Sequence, residues 1–395
     1  MKVLMLSSLA WSLINFRGRL IEDLKRAGHD VTVCAPDDDP AVRARLAQMG
    51  VAFRLTPMDR AGTNPLSDLV TLARYALLML RLRPDVVIAY TQKPIVLGGI
   101  ATRLTRTPRL HVLMSGLGYV FSDAAAGRRG LRWAMSRAYR IAVKHARAIF
   151  VFNGDDRRAL LAQGIIGPSH YVVQVPGSGV DVDHFTATAL PAGPPTFLMI
   201  ARLMRDKGIA DFAEAARLVR DHRRDTRFVL VGRLEPENPT GIPIAEVEQW
   251  VDDGLIEHVP ETRDVRPFLA RSHAFVLPSF YREGLPRTLL EALSSGRPVI
   301  TTDLPGCREP VEPGVNGALV PPRDPPALAA AMLTMIADPA RLGRMAEAAR
   351  ESAVARYDVA KVNAQLLSIM RLDTPERPVD AAVPSGGRVL KPTEA

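Results

Sequence analysis

The chain has 395 residues, of which 47% are apolar and 24% charged, as in a soluble globular protein with two domains of ordinary size. Cys34 and Cys307 stand in no ligand-spacing motif, which argues against a disulfide framework or a cysteine-based zinc site and fits a reducing cytoplasm. Residues 1–190 hold 25 Lys/Arg and 14 Asp/Glu, a net +11, whereas residues 191–395 carry −2. The basic half indicates an anionic partner, unless an arginine-rich composition of the whole genome explains it.

Short apolar, β-rich runs alternate with helical patterns along most of the chain. The predicted strands are KVLML, DVTVCA, VAFRL, DVVIAY, RLHVLM, AIFVF and YVVQV in the first half, and TFLMIA, RFVLVG, AFVLP, PVITT and GALVP in the second. Such strands separated by helices predict parallel sheets with helices on both faces. We therefore expect an α/β protein with two doubly wound, Rossmann-like domains that face a cleft.

The alternating pattern breaks at residues 176–195, whose Pro, Gly and small residues predict a linker. The expected domains are residues 1–185 and 190–352, and a helix within residues 353–373 is expected to pack back on the first domain. We expect residues 374–395 to be disordered, because they are rich in Pro, Gly and charge. No apolar run reaches the about 20 residues that cross a bilayer, and MKVLMLSSLAWSLINF is interpreted as a strand and loop rather than a signal peptide.

Several common site motifs are absent from the sequence. A nicotinamide-binding domain needs G-x-G-x-x-G after its first strand, where the chain offers only Gly18, and no P-loop lysine motif occurs. Ser178 does not fit a nucleophile elbow because Gly179 follows it directly. The acidic run Asp37–Asp39 could hold a metal ion, but Asp and Pro are ordinary loop residues. We therefore expect no metal site and no bound cofactor.

The segment 274–303 places two carboxylates around the start of a helix. AFVLPS predicts a buried strand, FYREG the loop at its carboxyl end, and RTLLEALSSG a helix with Pro286 at its first position and Gly296 at its end. Glu283 then lies in the loop and Glu291 inside the helix, near free N–H groups that favour a diphosphate. A carboxylate can accept hydrogen bonds from two adjacent hydroxyls of a sugar or ribose.

These motifs carry a family resemblance. EGLPRTLLE, followed by ALSSGRPVITTDLPGCREPV and GVNGALVPPRDPPAL, resembles the E-x7-E region of retaining family 4 glycosyltransferases, which have the GT-B fold. IARLMRDKGIADFAEAARLV resembles the donor-diphosphate segment of that family, and SGVDVDHF resembles its interdomain segment. In the first half, NFRGRLIEDLKRAGHDVTV, YTQKPIVLGGIATRL and SGLGYVF resemble the branch that adds sugars to polyprenyl-diphosphate-linked saccharides in surface-glycan or glycoprotein assembly.

The resemblance implies a role for each matching residue. Glu283 would contact hydroxyls of the donor sugar and Glu291 those of the ribose, while Arg202 and Lys207 would neutralise the diphosphate as charge develops on it. The other implied donor contacts are the backbone at Val265, for the nucleobase, and Gly284, Leu285, Gly116, Gly118 and Arg17. The implied donor is a UDP-sugar, with an N-acetylhexosamine as the sugar, and no metal ion is required.

Two departures from the family pattern leave the catalytic base unassigned. Ser115 stands where many members have a histidine, and His111 lies earlier, inside a predicted strand, where we expect it in the core. The first loop lacks the common Gly-Gly pair and carries Asn15, Phe16 and Arg17. In a retaining front-face reaction, the leaving diphosphate itself can take the acceptor proton.

Two other classes of function fit part of the sequence. A UDP-sugar 2-epimerase shares the two-domain architecture, but the spacing of Arg202 and Lys207 and the EGLPRTLLEA sequence favour transfer. A nucleic-acid-binding protein would explain the basic half, but its basic segments contain no recognised DNA- or RNA-binding motif. We expect a transferase without a nucleic-acid partner, cytoplasmic and peripherally attached to the inner face of the cytoplasmic membrane.

The most basic helical pattern spans residues 128–147, which contain seven Lys/Arg and no Asp/Glu. At about 100° per residue one face carries Trp133 and the cations Arg129, Arg132, Arg137, Arg140, Lys144 and Arg147. The opposite, apolar face is expected to pack on the domain. We expect the cationic face to contact an anionic leaflet, with Lys93 at a strand end holding acceptor phosphates. A core-packed helix with a solvated charged face is the competing explanation.

Overall fold

The computed structural model describes residues 1–59, 64–116 and 129–373. Within them, thirteen strands form two sheets. The strands are β1 (Lys2–Leu6), β2 (Asp30–Ala35), β3 (Ala52–Leu55), β4 (Val86–Tyr90), β5 (Arg109–Met114), β6 (Ala148–Val151), β7 (Val172–Gln174), β8 (Thr196–Ile200), β9 (Arg227–Val231), β10 (Glu257–Val259), β11 (Ala274–Leu277), β12 (Val299–Thr302) and β13 (Gly317–Val320).

Helices cover both sheets. In chain order they are α1 (Ala10–Asn15), α2 (Gly18–Arg26), α3 (Pro40–Gln48), α4 (Pro65–Leu82), α5 (Gln92–Leu104), α6 (Arg129–Val143), α7 (Gly154–Ala162), α8 (Ile209–His222), α9 (Ile244–Asp252), α10 (Arg266–Ala270), α11 (Arg287–Ser294), α12 (Pro325–Ile336), α13 (Pro339–Ser352) and α14 (Val359–Met370). Among the helices of the described segments, none combines the length and apolar character needed to cross a membrane.

The strand order shows where each domain has a crevice. The first sheet runs β3-β2-β1-β4-β5-β6-β7 and the second β10-β9-β8-β11-β12-β13, with parallel pairing throughout. The order reverses between β1 and β4 and between β8 and β11, and ligands collect at the carboxyl ends of such strands. The central strands are buried along almost their whole length, as sheets covered on both faces require. The predicted pair of Rossmann-like domains is confirmed.

Three local features differ from the sequence-based expectations. Glu257–Val259 form β10, an edge strand of only three residues. Two of the three are polar, so the sequence shows no strand pattern there. The predicted loop after β1 contains α1, which buries Ala10, Ser12 and Leu13. Pro286 precedes α11 as its N-cap, with φ −63° and ψ 121°, rather than occupying the first helical position.

The C-terminal helix α14 packs on the first domain. Its residues Val362, Leu366, Leu367 and Met370 are buried in a core cluster together with residues of β1 and α2. Asn363 Nδ2 donates to Asp23 Oδ2 of α2 at 2.8 Å. The chain therefore passes from the second domain back to the first, and α14 completes the first core.

We expect Leu366→Ala to destabilise the first domain by about 2–5 kcal/mol, because the truncation leaves a cavity in a packed core. Urea denaturation monitored by far-ultraviolet circular dichroism measures the change. The matched control is Gln365→Ala on the exposed side of the same helix, expected within about 0.5 kcal/mol of wild type. Equal stabilities of the two variants would show that α14 contributes little to this core.

Candidate active site

An ion pair joins two loops at the carboxyl ends of neighbouring strands. Lys207 ends a single 3-10 turn after β8, and its Nζ donates to Glu283 Oε1 in the loop after β11. The same oxygen accepts from Ser279 Oγ at 3.2 Å. Only 14% of the Lys207 side chain and 12% of the Glu283 side chain are exposed. The strand order thus places a shielded ammonium–carboxylate pair at the crevice of the second domain.

The two loops that carry this pair are tied together by their backbones. The N–H groups of Phe280 and Tyr281 both donate to Asp206 O at 2.9 Å. Gly208 adopts φ +76°, and a Cβ there would lie 2.1 Å from Pro278 O. The loops can approach this closely because Gly208 has no side chain.

A second carboxylate, Glu291, lies inside α11. It is buried, and its Oε1 is 3.0 Å from Nε of Arg287 one turn earlier. Burial raises the pKa of Glu291, and the charge of Arg287 opposes that rise. The Arg287 guanidinium also lies 5.6 Å from the ring centroid of Phe16, a residue of the first domain. A carboxylate, a cation and an aromatic ring from two domains therefore meet at the start of α11.

Arg202 lies two residues after β8 and is about half exposed. Its Nη1 is 3.8 Å from Glu235 Oε1, whereas Arg233 Nε binds the same oxygen at 2.8 Å. Exposed ion pairs of this kind contribute less than about 1 kcal/mol. The Arg202 guanidinium can therefore turn toward an anion at the crevice at little energetic cost.

The first domain meets the Glu283 loop backbone to backbone. Gly116, just after β5, has φ +118°, and a Cβ on it would lie 2.9 Å from Gly284 N. A Cβ on Gly284 would lie 2.3 Å from Ser115 O. The family resemblance implies that both glycines lie beside the donor, and the structure shows that both also allow the two domains to touch. Gly118 lies outside the described residues.

Two further predicted donor residues are partly buried at the same side of the second domain. Leu285 packs against the cores of both domains and against Gly177, where a Cβ would lie 2.7 Å from its Cδ2. Val265 is the N-cap of α10 and packs on the core of the second domain.

An asparagine that the sequence analysis missed connects the first domain to the Glu283 loop. Asn153 is fully buried; its Oδ1 accepts from Asp156 N at 2.7 Å and its Nδ2 donates to Gly284 O at 2.8 Å. Asp156 is also buried, and its Oδ1 lies 3.4 Å from Arg282 Nε. Both neighbours of Glu283 are thus held by the first domain. The sequence FNGDD after β6 signals a helix N-cap, but not the hydrogen bond that crosses between domains.

Arg17 places a buried cation at the crevice of the first domain. Its guanidinium lies 5.3 Å from the ring centroid of Tyr90 and 5.8 Å from that of Phe152. Burial is the main cause that lowers the pKa of Arg17 to about 10; Tyr90 opposes this shift and the charge of Arg287 contributes to it. Its Nε has no hydrogen-bond partner among the described residues. A buried guanidinium in this setting suits an anionic ligand.

Two of the cations expected to contact the acceptor or the membrane bind other groups of the protein. Lys93 Nζ forms an ion pair with Asp68 Oδ1 at 2.6 Å, so acceptor phosphates would have to replace this partner. Arg140 Nε donates to Gly164 O at 2.6 Å and thereby binds a carbonyl just after α7. Both cations have local partners because helices packed side by side bring oxygen atoms within their reach.

Helix α6 is amphipathic, but the boundary between its buried and exposed faces differs from the predicted one. Tyr139, Ala142 and Val143 are buried, while Ile141, which helical periodicity puts on the apolar face expected to pack on the domain, is 40% exposed. Lys144 is exposed, Arg132 is half-buried beside the exposed Trp133, and the side chain of Arg129 lies outside the described residues.

Two residues of the acidic run considered as a metal site have structural partners. Asp39 Oδ1 accepts from Ala41 N at 2.9 Å as the N-cap of α3, and Asp37 Oδ1 accepts from Ala10 N at 2.8 Å. Over residues 1–59, 64–116 and 129–373, no cluster of three or more His, Cys, Asp or Glu side chains is placed to hold a metal ion. His111 is buried in β5, and burial lowers its pKa to about 4.

Family models match both domains. Residues 15–178 match the glycosyl transferase 4-like domain, and residues 194–338 match the model described as glycosyl transferases group 1. Each match covers most of one sheet and its crevice, including the loop of Asn153 in the first domain and Lys207, Glu283 and Glu291 in the second.

Two curated bacterial relatives are similar over most of the chain. The N,N'-diacetylbacillosaminyl-diphospho-undecaprenol alpha-1,3-N-acetylgalactosaminyltransferase of Campylobacter jejuni is 24% identical over 330 residues, 80% of this chain and 84% of that protein. The UDP-Gal:alpha-D-GlcNAc-diphosphoundecaprenol alpha-1,3-galactosyltransferase of Escherichia coli is 24% identical over 312 residues, 75% of this chain and 77% of that protein. The crystal structure of Anabaena Alr3699/HepE in complex with UDP matches with a TM-score of 0.76 at 21% identity, covering 94% of this chain and 100% of that one.

The buried Asp156 predicts a pH-dependent difference in stability. Burial raises its pKa from 3.8 to about 6, with Arg282 opposing the rise, so the folded chain binds this proton more tightly than the unfolded chain. The contribution of Asp156 to the free energy of unfolding therefore falls as pH rises from about 4 to about 6. We expect the stability of Asp156→Asn relative to wild type to increase by about 3 kcal/mol from pH 4 to pH 7.

Chemical denaturation of wild type and Asp156→Asn at several pH values in this range measures that difference. A difference that stays constant with pH would contradict the raised pKa.

Proposed function

Since the chain belongs to the family 4 glycosyltransferases of the GT-B fold, we propose that it transfers a sugar from a UDP-sugar to a saccharide carried on polyprenyl diphosphate. The observation that carries this proposal is the meeting of Lys207, Glu283, Arg287 and Glu291 at one crevice, against the first domain. Both relatives are named for transfer to sugars linked to undecaprenyl diphosphate, and one is named for a UDP-sugar donor. These names support both proposed substrates.

The diphosphate of the donor occupies the space between the β8 and β11 loops. It attracts Lys207 away from Glu283 and turns the half-exposed Arg202 inward. Glu283, released in part from its ion pair, then accepts hydrogen bonds from hydroxyls of the sugar. The exchange of one anionic partner for another keeps the ammonium of Lys207 paired throughout.

The nucleoside of the donor lies along the start of α11 and α10. Glu291 accepts hydrogen bonds from the two ribose hydroxyls, and Arg287 favours the ionised form of this buried carboxylate. The backbone at Val265 contacts the uracil. Gly284 and Leu285 line the same side, where their packing against the first domain fixes the loop.

The proposed reaction exchanges two bonds at the anomeric carbon of the donor sugar. The bond from this carbon to the β-phosphate oxygen breaks, and its electron pair leaves with UDP. The acceptor hydroxyl oxygen forms the new bond on the same face, so the configuration is retained, and its proton passes to the leaving phosphate oxygen. Lys207 and Arg202 stabilise the charge that develops there, and each such contact is worth roughly 3–4 kcal/mol.

The first domain receives the lipid-linked acceptor. Arg17, which the family resemblance assigns to the donor, supplies positive charge at the carboxyl end of β4, and we propose that it binds a phosphate oxygen of the acceptor instead. The exposed cations Arg137 of α6 and Lys144, directly after that helix, suit anionic headgroups. A lipid-borne acceptor requires the enzyme to work at a membrane, and we propose peripheral attachment to the inner face of the cytoplasmic membrane. We propose an N-acetylhexosamine as the transferred sugar.

We expect Glu283→Gln and Glu291→Gln each to lower kcat/KM at least about 100-fold, because an amide accepts hydroxyl hydrogen bonds more weakly than a carboxylate. Transfer of radiolabelled sugar to the lipid-linked acceptor measures the loss. The matched control is Glu351→Gln, an exposed carboxylate on α13, which should retain wild-type activity. Full activity in either cleft variant, with an unchanged melting temperature, would remove that carboxylate from the mechanism.

We propose that transfer needs no divalent metal ion, because Lys207 and Arg202 already face the diphosphate. Activity should therefore persist in excess EDTA. Complete loss of transfer in EDTA, restored by added magnesium, would refute this and direct attention to the acidic run Asp37–Asp39.

A further inference from the structure

An unpartnered apolar stripe runs along the outer face of α4 (Pro65–Leu82). Leu66, Leu69, Val70, Leu77 and Leu80 are between 48% and 71% exposed. At about 100° per residue these five side chains fall within an arc of about 100°. Apolar residues exposed singly are ordinary, but a continuous stripe of this length marks an interaction surface.

The stripe is not the face of α4 that packs on the core, because a different face of this helix does so. Thr71, Tyr75 and Met79 lie on the opposite side of the helix and are buried. Tyr75 and Met79 belong to a core cluster that also holds residues of α5 and α6. The helix is therefore fixed in place by one apolar face and presents a second one outward.

The charges beside the stripe are positive. Arg74, Arg81 and Arg83 are exposed along or just beyond α4. The only acid of this helix, Asp68, is paired with Lys93 at 2.6 Å. A second copy of the chain docked on this stripe would bring like charges together, whereas an anionic lipid surface complements them.

The same helical layer carries the basic helix α6. Helix α5 packs between α4 and α6 on one face of the first sheet. Trp133 of α6 is 69% exposed, Arg137 is exposed on the same helix, and Lys144 is exposed directly after it. Exposed aliphatic, aromatic and cationic side chains on neighbouring helices form the combination that binds a bilayer interface.

We propose that the α4 stripe inserts into the interfacial region of an anionic bilayer, with its neighbouring arginines at the level of the lipid phosphates. This inference deepens the membrane attachment in the proposed function, and it assigns the apolar part of that attachment to α4. Insertion of aliphatic side chains is not screened by salt, in contrast to contacts made by charge alone. Part of the binding should therefore survive at high ionic strength.

The test is co-sedimentation with vesicles of phosphatidylcholine and phosphatidylglycerol, without donor or acceptor. We expect Leu69→Glu/Leu77→Glu to lower the partition coefficient at least about tenfold. The matched control is Ile244→Glu/Val251→Glu, which adds the same charge at two exposed apolar positions of α9 in the second domain and should bind as wild type does. Equal binding of the α4 variant and wild type, or equal loss in both variants, would overturn the proposal.

A second variant provides a readout that does not depend on loss of binding. Leu77→Trp should be quenched by brominated lipids more strongly than wild type, because the new indole enters the acyl region. No added quenching would contradict insertion.

Size-exclusion chromatography tests the competing occupant, a second copy of the chain. A wild-type dimer that Leu69→Glu/Leu77→Glu converts to monomer, with vesicle binding unchanged, would assign the stripe to a second copy.

Activity on a short-chain, water-soluble acceptor separates this inference from the proposed function. The α4 variant should transfer sugar to that acceptor at the wild-type rate while failing to bind vesicles. Absence of transfer in every form, wild type included, would defeat the proposed function, and the vesicle result would still decide the role of α4.

Discussion

The backbone contact of Ser115 and Gly116 with Gly284 is the constraint on which the rest of the site depends. No side chain fits at either glycine, so the two domains approach more closely here than ordinary packing allows. The contact brings Asn153 within hydrogen-bonding distance of the loop that carries Glu283. The cleft and the domain interface are therefore one structure, and any change in the separation of the domains moves the Glu283 loop relative to the first domain.

The ion pairs near this interface are better suited to exchanging a partner with a ligand than to stabilising the fold. Lys207 with Glu283, and Arg287 with Glu291, are shielded ion pairs whose desolvation offsets much of their attraction. Such pairs are weak evidence for a stable fold. In the proposed reaction they keep each cation and carboxylate oriented until a diphosphate or a sugar hydroxyl replaces the partner. The buried Arg17 adds positive charge on the opposite side of the cleft.

Local sequence patterns predict the parts of the site that one segment determines. The strand, loop and helix around Glu283 and Glu291 could be predicted because a buried strand, a Gly-Leu-Pro turn and an apolar helix follow one another directly. The role of Asn153 could not, because its partner Gly284 is 131 residues away. The pairing of Lys93 with Asp68 depends in the same way on how two helices pack. Sequence patterns alone do not show which of the two apolar faces of α4 is buried, because burial depends on how α4 packs against α5.

We propose that this chain moves a sugar from UDP to a lipid-linked saccharide. The most direct measurement incubates the purified protein with radiolabelled UDP-sugars and polyprenyl-diphosphate-linked acceptors, and follows the label into organic extracts. We expect label in the lipid fraction with at least one UDP-N-acetylhexosamine, only when acceptor is present, together with an equal amount of UDP. Conversion of the UDP-sugar to an epimer without acceptor, and no label in the lipid fraction for any pair, would contradict it.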